Sequence, residues 1–151
     1  MKAIVVKLFA TGLYTGLSPT VPGTVGTLPA WVLVWFLFGY STIVAVVATV
    51  ILFFVSVWLA TEAESIYGHD SKKIVIDEWA GMAIAVLFVK HTLTAYLIAF
   101  AAFRLFDVIK LPPAAQSEKL PAGWGVTMDD VVAGIQANIA TQIILFALGR
   151  F

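Results

Sequence analysis

Between residues 28 and 60 this chain carries no charged side chain, and all nine of its acidic residues fall in two short windows beyond that stretch. The first window holds Glu62, Glu64, Asp70, Asp77 and Glu78; the second holds Asp107, Glu118, Asp129 and Asp130. Carboxylates are costly near hydrocarbon and are rarely placed there without a partner or a metal. Two acidic islands in so greasy a chain read as a divalent-cation site at a membrane, and such a site suits phosphate chemistry on a lipid. Composition points the same way. The chain is 61% hydrophobic and 12% charged, where soluble domains run at about 45–50% apolar and about 25% charged.

The 151 residues suit one domain over 1–151. A net charge of zero with no basic run gives no sign of nucleic-acid binding. The absence of cysteine excludes disulfides, thiolate metal sites and a cysteine nucleophile. Residues 1–12 lead into Ser-Pro and Pro-Gly rather than a small-residue cleavage site, so no signal peptide is expected.

The apolar pieces define the expected elements. Residues 3–14 suit a short amphipathic N-terminal helix. Residues 16–27, with three glycines, two prolines and four hydroxyl side chains, read as a structured loop. Gly39-Tyr40-Ser41 then divides the charge-free run. The piece before it, residues 28–38, is about 16 Å as a helix, too short for a bilayer core of about 30 Å. Residues 42–60 are long enough to span. Residues 61–78 are polar, 79–89 and 92–106 are shorter apolar pieces, 107–130 read as a polar loop, and 131–148 as a last hydrophobic helix. The fold class is therefore all-α: a polytopic membrane helical bundle of about five or six helices, one of them short and N-terminal. If each apolar piece crosses or turns back, both acidic windows share one face with residues 18–27. Lys2, Lys7, Lys72, Lys73, Lys110 and Lys119 join them, and the positive-inside rule puts that face in the cytoplasm.

Asp77-Glu78 and Asp129-Asp130 each precede an apolar helix. Capping and the helix dipole account for either pair alone just as well as function does. Two such pairs at the membrane-side start of helices favour a hard cation, which takes oxygen ligands, one or two carboxylates and substrate phosphate. Arg104, Asp107 and Lys110 recur at steps of three and fall roughly on one helical face. Arg104 and Lys110 could hold phosphate oxygens, and Asp107 a metal. The segment from Ser18 through Thr24 and Gly26 to Thr27 could cradle a phosphate through backbone N–H groups and hydroxyls, although it lacks the Gly-Lys-Ser/Thr ending of a P-loop. His69-Asp70 reads as a surface pair, Lys72 and Lys73 as surface charges, Glu118 as a solvated loop charge. No Asp-x-Asp-x-Thr/Val motif is present, and His69 and His91 lack the context of a histidine nucleophile. Metal-activated water remains.

Four blocks, in order, carry a resemblance. Leu17-Ser-Pro-x-x-Pro-Gly-Thr-x-Gly26, Ile74-Val-x-Asp-Glu-Trp-x-Gly-Met82, Phe103-Arg-Leu-Phe-Asp-x-x-Lys110 and Gly123-Trp-Gly-Val-x-x-Asp-Asp-Val-x-Ala-Gly134 together resemble the phosphatidylglycerophosphatase A family. The resemblance implies a Mg²⁺-dependent enzyme of the bacterial inner membrane that converts phosphatidylglycerophosphate to phosphatidylglycerol. It implicates Asp77, Glu78, Asp107, Asp129 and Asp130, with Lys110 and the Ser18–Gly26 loop beside them. Thr27, Leu111, Ala115 and Ala122 depart from the family pattern. Two rivals from other classes are a small membrane cation carrier with a carboxylate site and an inactive lipid-binding helical module. Acids at helix starts and in loops, rather than mid-span, speak against the carrier.

Overall fold

Ser41 and Thr92 sit at the starts of the two apolar runs that follow them, and each works as a helix cap. Ser41 Oγ accepts from the Val44 N–H at 3.2 Å and Thr92 Oγ1 from the Ala95 N–H at 3.3 Å, satisfying donors that a helix start leaves without partners. In the computed structural model, which describes residues 2–68 and 71–150, the described residues form seven α-helices, one 3₁₀ turn and no strand. The helices are α1 (Lys2–Ala10), α2 (Pro22–Phe38), α3 (Thr42–Tyr67), α4 (Ile76–Val86), α5 (Leu93–Ile109), α6 (Ala114–Ser117) and α7 (Gly123–Ala147); the 3₁₀ turn is Thr15–Leu17. The all-helical bundle is as expected, with one more helix than expected because the proline-rich segment folds a single turn, α6.

Several boundaries differ from the sequence reading: α1 stops at Ala10 rather than 14 and α4 at Val86 rather than 89, while other helices start earlier or run on longer than expected. α2 begins at Pro22, so Gly23, Gly26 and Thr27 are helical rather than loop. Proline suits the first turn, where its missing N–H costs nothing. α3 continues through Glu62 and Glu64 to Tyr67, since glutamate is a good helix former. α7 starts at Gly123, after Ala122 with φ 52°, and runs unbroken through Asp129 and Asp130. The second acidic pair is therefore in the second turn of a helix, and Thr127 is no capping residue: its hydroxyl meets Ser56 Oγ at 2.9 Å. Asp77 and Glu78 likewise stand inside the first turn of α4, one residue beyond its start.

α4 is the centre of the bundle. Nine of its eleven residues are buried, against α2, α3, α5 and α7. At about 16 Å it cannot cross a bilayer. The core around it is rich in small side chains, including Ala30, Ala83, Ala99, Ala133 and Ala137, with Met82, Tyr96 and Phe103 as its few large members. Most large apolar side chains face outward: Phe36, Ile51, Phe54, Leu97, Ile143 and Phe146 are all exposed. That is the reverse of a soluble bundle and the arrangement expected where lipid is the solvent. α3 and α7 are the two helices long and apolar enough to cross a membrane; α2 is a shorter apolar helix. At the end away from the acidic residues, Trp35 stacks on His91 at 4.3 Å and meets Tyr96 edge-on at 5.1 Å, and Trp31 Nε1 donates to the Tyr96 carbonyl at 3.0 Å. Amphipathic rings of this kind belong at a membrane–water boundary.

α4 and α7 touch through two glycines. A Cβ on Gly134 would collide with the carbonyl oxygen of Gly81, and a Cβ on Gly81 would stand 2.7 Å from the Asp130 carbonyl oxygen. Because the obstacles are backbone, Gly134→Ala should push the helices apart and cost about 1–3 kcal/mol. Thermal unfolding in detergent would show it as a lowered Tm, and an unchanged Tm would mean the seam has slack. The outward apolar surface makes a second prediction. The protein should stay in the membrane pellet through alkaline carbonate washing and require detergent for release, whereas recovery in the soluble fraction would rule out embedding.

Candidate active site

The helices deliver their polar residues to one end. A cavity of about 460 Å³ is lined by Pro22, Gly23 and Thr24 from α2, by Asp77 and Glu78 from α4, by Arg104 and Asp107 from α5, and by Asp129 and Asp130 from α7, with Lys72 and Lys110 from the connecting segments. Residues more than forty positions apart thus meet in one pocket.

Arg104 organises one wall. Its Nη1 lies 3.3 Å from Glu78 Oε2 and 2.7 Å from Asp107 Oδ2, one helical turn along α5, and it donates to Thr27 Oγ1 at 3.4 Å. The Thr27 hydroxyl, fully buried, bonds both the Gly23 carbonyl oxygen, at 2.8 Å, and Glu78 Oε2. Gly23 leaves the room these groups need: a Cβ there would come within 2.5 Å of Glu78 Oε1 and 2.6 Å of Arg104 Nη2.

Lys110 organises the other wall. The three-residue spacing places Arg104 and Asp107 together as expected, but Lys110 ends α5 in the left-handed conformation, φ 49°, and so leaves that face. Its Nζ crosses to α7, 2.8 Å from Asp129 Oδ2 and 3.0 Å from Glu118 Oε1. Glu118, read from sequence as a solvated charge, is a partner of the site lysine. Burial opposes the Lys110 charge, but the Asp129 and Glu118 carboxylates outweigh it and raise the pKa above the ordinary lysine value.

Between the walls stand carboxylates with spare oxygens. Asp77 Oδ1 and Asp130 Oδ2 are buried with no hydrogen-bond partner, a costly state that asks for a ligand. Burial first, then the Glu78 and Asp129 charges, push the Asp77 carboxyl well above its usual range. Burial also lifts Glu78 to about 8, against the pull of Arg104 and the Thr27 hydroxyl. Among the described residues no three His, Asp or Glu side chains stand together as a ready-made metal cage. The donors instead suit a hard cation that keeps waters and takes substrate phosphate as part of its shell; Asp77, Glu78, Asp129 and Asp130 could hold one.

The other sequence candidates divide. Thr24 lines the pocket; Ser18 and Gly26 do not. Ser18 Oγ donates to the Thr20 carbonyl oxygen at 2.8 Å. Gly26 is a close-approach position, where a Cβ would lie 2.6 Å from that of Val75, and its carbonyl accepts from Trp79 Nε1 at 3.0 Å. Glu62 pairs with Lys2 at 2.9 Å on the surface. Lys73 lies over the Tyr67 ring at 5.5 Å, whereas Lys72, read as a surface charge, lines the pocket. His69 and Asp70 lie outside the described residues. Asp129 and Asp130 are inside a long helix, so the placing of acids at helix starts no longer discriminates against a carrier. Gly23 and Thr27 fall within the segment read from sequence as a possible phosphate cradle, but their roles beside Glu78 and Arg104 were not foreseen.

An all-helical bundle with two helices long and apolar enough to span a membrane, and a pocket of paired carboxylates and cations at one end, defines a membrane-type helical protein with a charged site. The sequence matches the phosphatidylglycerophosphatase A family over residues 8–145, and the chain belongs to that family. Among its relatives, phosphatidylglycerophosphatase A of Haemophilus influenzae is 32% identical over 147 residues, covering 95% of this chain and 88% of that protein. The Escherichia coli K12 protein of the same description is 35% identical over 136 residues, 85% of this chain and 76% of its own. A Bacteroides thetaiotaomicron protein, described as a candidate phosphatidylinositol-3-phosphatase, is 36% identical over 150 residues, 94% of each chain. No solved structure matches the chain. Family membership makes the protein an enzyme, a phosphatase of the lipid-phosphate type.

The Thr27 hydroxyl makes a prediction at this site. Thr27→Val keeps the volume and removes the hydrogen bonds to Glu78 and Arg104. Bonds to charged groups are worth about 1.5–3 kcal/mol, so kcat/KM for phosphate release should fall roughly tenfold to a hundredfold, and Thr27→Ser should retain most of it. Equal activity in the two variants would make the residue a packing element only.

Proposed function

We propose that the protein hydrolyses the terminal phosphomonoester of phosphatidylglycerophosphate, releasing phosphatidylglycerol and phosphate in a Mg²⁺-dependent reaction. The observation that carries this is the meeting of Asp77, Glu78, Asp129 and Asp130 with Arg104 and Lys110 in one pocket, two carboxylate oxygens there having no other partner. The family match and the two bacterial relatives described as phosphatidylglycerophosphatase A supply the substrate class.

Asp77, Glu78, Asp129 and Asp130 would hold Mg²⁺, which when bound neutralises phosphate charge and acidifies a coordinated water. Arg104 and Lys110 offer N–H donors to the phosphoryl oxygens and stabilise charge that builds on them as the P–O bond to the lipid breaks. The attacking water must lose a proton. A carboxylate of the pocket would accept it and pass it to the lipid oxygen that leaves. Lys72, at the wall of the same pocket, adds positive charge that draws the anionic headgroup in.

In this reading the protein is a multi-pass protein of a bacterial inner membrane with its pocket toward the cytoplasm. Lys2, Lys7, Lys72, Lys73, Lys110 and Lys119 belong to the segments at the pocket end, and Lys90 and Arg150 to the other, which is the positive-inside distribution.

The test is phosphate release by purified protein from phosphatidylglycerophosphate, with phosphatidylinositol 3-phosphate as comparator because of the Bacteroides relative. Release from the first lipid, abolished by EDTA and restored by Mg²⁺, is expected. Asp77→Asn, Asp129→Asn or Asp130→Asn should each nearly abolish turnover while leaving the protein folded. Release from the inositol lipid alone would replace the substrate, and release indifferent to EDTA would remove the metal.

A further inference from the structure

The pocket has an apolar margin that an anionic headgroup does not use. Val21, just before α2, and Val108, on the last turn of α5, both line the cavity, and they are 66% and 73% exposed. An exposed apolar stripe continues from each. On α5 it passes through Leu105, Ala101 and Leu97, at steps of three and four that keep to one helical face. On α2, which follows Val21, it passes through Leu28, Val32 and Phe36, at steps of four that keep to one helical face. The two helices are neighbours at both ends, joined by Trp31 to the Tyr96 carbonyl at 3.0 Å and by Arg104 to Thr27 at 3.4 Å. Two apolar tracks on adjacent helices thus end at one polar pocket. α3 also exposes large apolar residues, Ile51 and Phe54 among them, but no α3 residue lines the cavity.

We propose that the diacyl part of the substrate lies along the outer faces of α2 and α5, and that its headgroup enters the pocket sideways from the bilayer, between Val21 and Val108. This rests on the lipid-phosphatase reading above and adds where the lipid sits. The geometry matches an amphipathic molecule, with hydrocarbon against Leu28 and Leu105 and phosphate against Arg104 and Lys110. Entry from the side lets the headgroup reach the carboxylates while the chains stay out of water. It also makes α2 and α5 the elements that select a membrane lipid over a water-soluble phosphomonoester.

The chain has no cysteine, so Leu28→Cys, Leu105→Cys and Val55→Cys would each carry a single thiol. Val55 is exposed on α3, next to Ser56, which meets Thr127 about one turn before Asp130, so it is a control at the depth of the site. The probe is a phosphonate analogue of phosphatidylglycerophosphate carrying a maleimide midway along one acyl chain. Bound along α2 and α5, it should label positions 28 and 105 at least about tenfold faster than 55, through raised effective concentration. Excess unlabelled lipid should slow labelling at 28 and 105 only. Equal labelling at all three positions, or no protection, overturns the proposal.

A kinetic arm uses Leu28→Gln, Leu105→Gln and Val55→Gln with long-chain lipid in vesicles and a water-soluble short-chain analogue of the same headgroup. The ratio of long-chain to short-chain kcat/KM should fall about tenfold in the first two variants and hold in the third. A ratio unchanged in all three also overturns it. If the wild type hydrolyses neither compound, the phosphatase reading fails instead, and labelling still reports the docking face.

Discussion

Gly81 and Gly134 let the backbones of α4 and α7 meet without side chains between them, and most of the bundle follows from that contact. Asp77 and Glu78 lie one turn before Gly81, and Asp129 and Asp130 one turn before Gly134, so closing this seam carries both carboxylate pairs to the same place. The alanines around it extend the principle. Where the solvent is hydrocarbon, exchanging a leucine from outside to inside gains nothing, and close approach of helices through small residues is what holds them. This is why Ala83, Ala133 and Ala137 form the core while Phe36, Phe54 and Phe146 face out.

The same seam creates an electrostatic demand. Asp77, Glu78, Asp107, Glu118, Asp129 and Asp130 gather around two cations, Arg104 and Lys110, with Lys72 at the wall. Burial raises the cost of every unpaired carboxylate, and the partnerless oxygens of Asp77 and Asp130 mark where that cost is greatest. An anionic phosphate cannot join such an excess of negative charge unaided. A divalent cation would meet both needs, pairing with the carboxylates and offering the phosphate a positive partner. The proposed metal and the proposed substrate are therefore one argument.

Arg104 and Lys110 differ in how they serve this arrangement. Arg104 stays on its helix and braces Glu78 and Asp107 through one guanidinium, with Thr27 behind it. Lys110 leaves its helix in a left-handed turn and ties the end of α5 to α7. Both cations hold site carboxylates, so both position groups of the site as well as carrying charge toward the cavity.

The helical class, the membrane-length segments, the family blocks and the acidic pairs were legible in the sequence. They depend on hydrophobic runs, helix caps and the rarity of carboxylates in greasy surroundings, which are local properties of the chain. The helix boundaries were legible only in part. Pro22, Glu62 and Gly123 read from sequence as loop or polar segment, yet all three are helical, Glu62 paired with Lys2 of α1 and Gly123 packed close against Val57 and Thr61 of α3. The partners were not legible at all. That Gly23 makes room for Glu78 and Arg104, that Thr27 bonds Glu78, that Glu118 pairs with Lys110 and that Gly26 only packs are contacts between residues far apart in the chain. Sequence alone determined which chemical groups the protein possesses and the solvent in which it is built to fold. Only tertiary structure decided which of those groups meet, because charge pairing and close packing act over a few ångströms in space, and separation along the chain does not measure that distance.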